Sequence, residues 1–133
     1  MSVWYLDASA IVKLAVVEPE TGPLRRWRGD VPSGDVLVTC ELAVAEVLRA
    51  VARVGGDVGV AMAQVDALGH VVVDRDLLLA AGSLEPSLLR TLDAVHLAAA
   101  MTFGVELGGV VTYDVRMAEA AARLGLPTLA PGG

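Results

Sequence analysis

Five short runs, at residues 3–6, 36–39, 71–73, 110–113 and 128–129, are built from apolar or β-branched residues with no regular polar alternation. A strand with one wet face alternates apolar and polar residues, and a strand covered on both faces does not. Between these runs the spacing predicts helices at 8–17, 23–27, 41–54, 58–68, 77–81, 92–103 and 115–124. Gly55, Gly104 and Gly125 stand where three of those helices must stop. Strands that alternate with helices pack as a parallel sheet between helical layers, and the connections are too long for hairpins. The expected class is α/β, with three α/β/α layers around a central, mainly parallel sheet of four to five strands.

Composition adds a few limits. A chain of 133 residues is one domain's worth, so a single domain over residues 1–133 is expected. Hydrophobic residues at 55% against 20% charged exclude a disordered chain. No apolar run reaches the roughly 18 residues of a membrane span. The first residues lack the basic start of a signal peptide. Cys40 is the only cysteine, which leaves no intrachain disulfide and suits a reducing cytoplasm. The formal charge of −6 with no basic stretch argues, taken alone, against a generic nucleic-acid binder.

In an open parallel sheet, ligands bind beyond the carboxyl ends of the strands. Asp7 follows the first run directly, and Asp114 follows the fourth. Asp93 opens helix 92–103, with Thr91 as its expected cap, and Glu46 lies about one turn into helix 41–54. Each acid has an ordinary reading. An aspartate at a strand–helix junction caps the helix and is favoured by its dipole. Helix 41–54 is apolar nearly all round, which predicts that it is largely buried. Its polar residues Glu46, Arg49 and Arg53 form one stripe, either a solvent face or the wall of a polar cleft. Taken together, the four carboxylates rise from one edge of the sheet. There they would raise one another's pKa unless a cation compensated. A hard divalent ion such as Mg²⁺ suits oxygen donors, whereas His70 and His96 are too few for a zinc set.

The same residues carry a resemblance. Residues 6–14, from Leu6-Asp7-Ala8-Ser9, resemble the opening of PIN-domain nucleases, as does Glu46 within residues 42–47. Leu92-Asp93-Ala94-Val95-His96-Leu97-Ala98 is similar to the third motif of that family. Residues 111–117, with Ala120-Ala121, are similar to its fourth. The likeness runs from Val3 to Pro131, and its compact wording is closest to the toxin subunits of VapBC toxin–antitoxin pairs. It implies a PIN-like fold and a Mg²⁺- or Mn²⁺-dependent endoribonuclease leaving 5′-phosphate and 3′-hydroxyl ends. It places Asp7, Glu46, Asp93 and Asp114 as catalytic metal ligands. It also implies an RNA substrate, a VapB-type antitoxin and a homodimer. A nuclease of RNA processing and a non-catalytic PIN-like binding module are the alternatives, and the complete acid set speaks against the second.

Ser9 and Thr112 stand where the family keeps hydroxyls that orient the acids. A capping serine and an ordinary strand threonine are the equal alternatives. His96, three residues after Asp93, is read as a buried histidine bonded inside the fold rather than as a proton acceptor. Glu41 departs from the family's small polar residue and is read as a helix-start charge. Arg49 and Arg53 are expected to meet RNA phosphates or the antitoxin. Arg116, where some relatives carry another acid, is a further contact of that kind or a solvated helix-start residue. A receiver domain needs a late lysine, but the sole lysine is Lys13. A haloacid-dehalogenase phosphatase needs an aspartate where Ser9 stands.

Overall fold

The structure, a computed structural model, describes residues 1–87 and 89–133. The strands are β1 (Val3–Leu6), β2 (Val36–Cys40), β3 (Gly69–Val71), β4 (Leu107–Val111) and β5 (Thr128–Leu129). The helices are α1 (Ala8–Ala15), α2 (Thr21–Asp30), α3 (Leu42–Arg53), α4 (Val58–Asp66), α5 (Arg75–Gly82), α6 (Thr91–Met101) and α7 (Val115–Arg123). A 3₁₀ turn, Gly104–Glu106, leads into β4. All strand pairs are parallel, in the order β3-β2-β1-β4-β5. The expected α/β class with a five-stranded sheet is what forms. Among the described residues, no helix is long and apolar enough to cross a membrane.

The sheet separates two cores. Val3, Tyr5, Val38, Cys40 and Val110 pack with α5, α6 and α7 on one face. Leu6 and Val111 pack with α1, α2, α3 and α4 on the other. β1 lies in the middle of the sheet, and the order of connections reverses between β1 and β4, where a binding crevice belongs.

One irregularity sets the register at that crevice. Val3 pairs with Leu107, but Trp4 pairs with Gly109, so Gly108 is the extra residue of a bulge. Beyond it Tyr5 meets Val110 and Leu6 meets Val111. The bulge explains why Leu107 and Val110, three residues apart, serve the same core. A strict two-residue period would separate them. It also carries the end of β4 alongside the end of β1, where the Asp7 amide donates to the Val111 carbonyl at 3.2 Å.

Several boundaries differ from expectation. The fourth strand was expected at 110–113 because valine, threonine and tyrosine favour strands. It starts instead at Leu107, runs through two glycines and stops at Val111, so Asp114 lies three residues past its end. The third strand is shifted to Gly69–Val71. Helix α2 extends over ten residues where a short piece was expected. Helix α3 is not buried all round: Ala43, Val47 and Val51 are buried, while Ala45, Arg49, Ala52 and Arg53 are exposed. Alanine is small enough to sit on either face, so its abundance concealed the polar side.

Gly108 has a second constraint. A Cβ at this position would lie 2.9–3.0 Å from three atoms of the Trp4 ring. That ring cannot easily yield. Its Nε1 donates to Asp35 at 3.0 Å, and it stands edge-to-face with Trp27 at 5.6 Å. Gly108→Ala is therefore expected to destabilise the fold by about 1–3 kcal/mol through overpacking. Urea unfolding measures this, and an unchanged midpoint would contradict the bulge geometry.

Candidate metal centre

Asp7 ends the central strand and begins α1. Its backbone is extended, and one carboxylate oxygen accepts from the Ala10 amide at 3.2 Å, so it is the N-cap. The same oxygen accepts from Ser9 Oγ at 2.6 Å, and the other accepts from Thr112 Oγ1. Ser9 is therefore not the cap, and Thr112 is fully engaged. Thr112 Oγ1 also accepts from the Asp114 amide at 3.1 Å, and Ser9 Oγ accepts from the Tyr113 amide at 2.9 Å. These bonds tie the carboxyl ends of β1 and β4 together. Asp7 is only 3% exposed, and this burial pushes its carboxyl pKa up, against the hydrogen bonds from Ser9, Thr112 and Ala10.

Asp93 lies in the first turn of α6, a helix buried continuously from Asp93 to Ala100. The cap position is Arg90, with no side-chain cap bond, and Thr91 is already helical. Arg90 instead turns its side chain to the acids. Its Nε donates to Asp93 at 2.8 Å and its Nη2 to Asp114 at 3.2 Å. Asp114 caps α7 by accepting from the Arg116 amide at 2.9 Å.

Glu46 reaches the same edge from α3. Its carboxylate is hydrogen-bonded to His96 Nε2. The other ring nitrogen of His96 stands 2.7 Å from the Tyr5 hydroxyl and 3.7 Å from Cys40 Sγ. His96 is 2% exposed. Burial alone would lower its pKa, but hydrogen bonds with Cys40 and Glu46 outweigh that and raise it. It is thus the internally bonded histidine expected, with a contact to a candidate ligand that sequence reading did not foresee.

The four acids therefore share one edge, and each is already bonded to groups of the protein itself. Asp7 is shifted by burial, while Arg90 offsets Asp93 and Asp114, and His96 is bonded to Glu46. Among the described residues, no three His, Cys, Asp or Glu side chains stand close enough to hold one ion. The donor chemistry nevertheless fits a hard divalent ion. All four groups are carboxylates, and Asp93 and Asp114 already converge on one cation, the Arg90 guanidinium.

The other candidates fall in different places. Arg116, Arg90 and Arg123 line a pocket of about 270 Å³ beside Asp93. Arg49 and Arg53 are exposed on α3, and no ion pair involves them among the described residues. The adjoining groove is walled on that helix by Glu46 and Ala50 instead. Glu41 sits before α3 and pairs with His70 at 3.2 Å, away from the other acids. Sequence reading missed Arg90, although its three-residue spacing from Asp93 was a signal. It also missed Lys13, which pairs with Glu18 and Glu20, lies 4.9 Å over the Tyr113 ring and lines the groove with Glu46.

The chain as a whole is similar to known proteins. The family model for the PIN domain matches residues 4–123. Ribonuclease VapC46 of Mycobacterium tuberculosis is 47% identical over 134 residues, covering 98% of this chain and 99% of the relative. Ribonuclease VapC47 of the same species is 37% identical over 131 residues, covering 96% of each. In solved structures, the fold is similar to M. tuberculosis VapC20, a toxin that cleaves the sarcin–ricin loop. That likeness has a TM-score of 0.71 at 18% identity, over 88% of this chain and 94% of the other. A toxin–antitoxin complex from Klebsiella pneumoniae is similar with a TM-score of 0.68 at 16% identity, over 98% of each chain.

The His96 contacts predict a pH dependence for the metal-free protein. A histidine whose folded pKa lies above 6.5 adds stability that is complete below pH 6.5 and is lost as pH rises through the folded value. Urea unfolding with a chelator, from pH 6 to pH 9, should show this loss in the wild type and a flatter profile in His96→Asn. Parallel profiles would mean that His96 is neutral in the fold.

Proposed function

The chain belongs to the PIN-domain family, among its VapC ribonucleases, and we propose that it is a Mg²⁺- or Mn²⁺-dependent endoribonuclease, the toxin of a toxin–antitoxin pair. The observation that carries the metal reading is the convergence of Asp93 and Asp114 on one cation, beside the buried Asp7. In this reading Asp7, Glu46, Asp93 and Asp114 hold the ion. When bound, such an ion lowers the pKa of water and polarises a phosphoryl oxygen.

The chain's own residues do the rest. Ser9 and Thr112 fix the Asp7 carboxylate through both oxygens, so it does not reorganise when charge develops nearby. Asp7 and Asp114, each spent on a helix cap, are held in place by the backbone itself. Arg116, with Arg49 and Arg53 farther off, offers cationic contact to the RNA backbone or to the antitoxin. A VapB-type antitoxin is the proposed partner, supported by the relatives' names and by the toxin–antitoxin complex of similar fold. The proposal includes a cytoplasmic homodimer of single-domain chains. The exposed Leu78 and Leu79 of α5 support a second copy as their cover.

The test is cleavage of structured RNA with added Mg²⁺ or Mn²⁺, and mapping of the product ends. Asp7→Asn and Asp93→Asn should each lower the rate by about 10²-fold or more while the circular dichroism stays native. Full activity in Asp7→Asn, or in the presence of a chelator, would overturn the metal reading.

A further inference from the structure

We propose that Arg90 is a built-in competitor of the metal: its guanidinium closes the site in the metal-free chain and must leave when an ion binds. The inference rests on the metal reading of Asp93 and Asp114 given above. Arg90 is the only residue that touches both, through Nε to Asp93 and Nη2 to Asp114, among the described residues. One fork-shaped cation therefore occupies the oxygens that a divalent ion would need.

Two features make displacement easy. The Arg90 side chain is half exposed, so its pairs with the acids are of the weak, solvent-screened kind. It also borders an open pocket formed with Arg116, Glu119 and Arg123, which gives the side chain room to turn away. The backbone of Arg90 is fixed as the cap position of α6, so the movement is confined to its side chain.

The experiment is Mn²⁺ titration of the metal-free full chain, with free Mn²⁺ read by electron paramagnetic resonance and no RNA present. Arg90→Gln should bind Mn²⁺ about three- to tenfold more tightly than the wild type, the scale set by losing two weak pairs. Arg123→Gln removes the same charge from the same pocket but breaks neither pair. It should change affinity much less. If the glutamine variant at position 90 is misfolded, Arg90→Lys takes its place. It keeps the charge without the fork, and it too should bind more tightly than the wild type. Equal affinity in wild type and Arg90→Gln would overturn the inference, as would an equal gain in Arg123→Gln. Wild-type binding that Asp93→Asn abolishes would leave the metal reading intact in either case. No Mn²⁺ binding by any of these proteins would overturn both.

Discussion

Everything at the functional edge depends on how β4 lies against β1. Because Gly108 is an extra residue, β4 arrives at the end of β1 in the register that puts Val111 opposite Leu6. The next residue, Thr112, then meets the carboxylate of Asp7, and its hydroxyl passes the connection on to the Asp114 amide. A slip of one residue would exchange the two faces of β4. It would withdraw Thr112 from Asp7 and turn Val110 and Val111 toward the wrong cores. Packing of the two cores and placement of the acids are thus one constraint, expressed at opposite ends of the same strand pair.

That constraint puts negative charge in a costly place, and the fold offsets it in pairs. Asp7 sits at 3% exposure and is sustained by two hydroxyls and a backbone amide. Asp93 is almost as buried, and its partner is the Arg90 guanidinium. Glu46 is bonded to a histidine whose far side rests on Tyr5. Some of these groups also join elements distant in sequence. Arg90 links the start of α6 to the start of α7, and His96 links α6 to α3 and β1. Such pairs contribute little net stability, because solvent screens the half-exposed Arg90 and desolvation offsets the attraction at the buried His96. Their effect is to fix which carboxylate faces which neighbour.

The layered fold was legible because continuous apolar runs and glycine stops are local signals. The four acids were legible as candidates because Asp7, Glu46 and Asp114 lie at or near strand–helix junctions and Asp93 lies in the first turn of a helix. What escaped was set by contacts far apart in the chain. β4 runs through Gly108-Gly109, a poor strand sequence that is paired because β1 and β5 flank it. The exposed side of α3 was hidden by alanine, whose size gives no preference for either face. The Arg90 bridge to Asp114 spans 24 residues, and the His96 contact with Glu46 spans 50. The need for a compensating cation was legible, but that Arg90 supplies one from within the chain was not.

The formal charge of −6 takes on a different meaning in this setting. Taking Asp7, Glu46, Asp93 and Asp114 from that count leaves −2, so most of the excess is local to one edge. There it is already met by Arg90, and Arg116 and Arg123 line the pocket alongside. An RNA strand approaching that edge meets arginines interleaved with acids, and an ion held by the acids would add to the positive side. Affinity for a phosphate chain follows the cations that can reach its phosphates rather than the protein's total. An overall acidic chain can therefore act on RNA, with weak adhesion to RNA in general. The groove beside Glu46 has the same mixed character, with Lys13 and Glu18 on its walls.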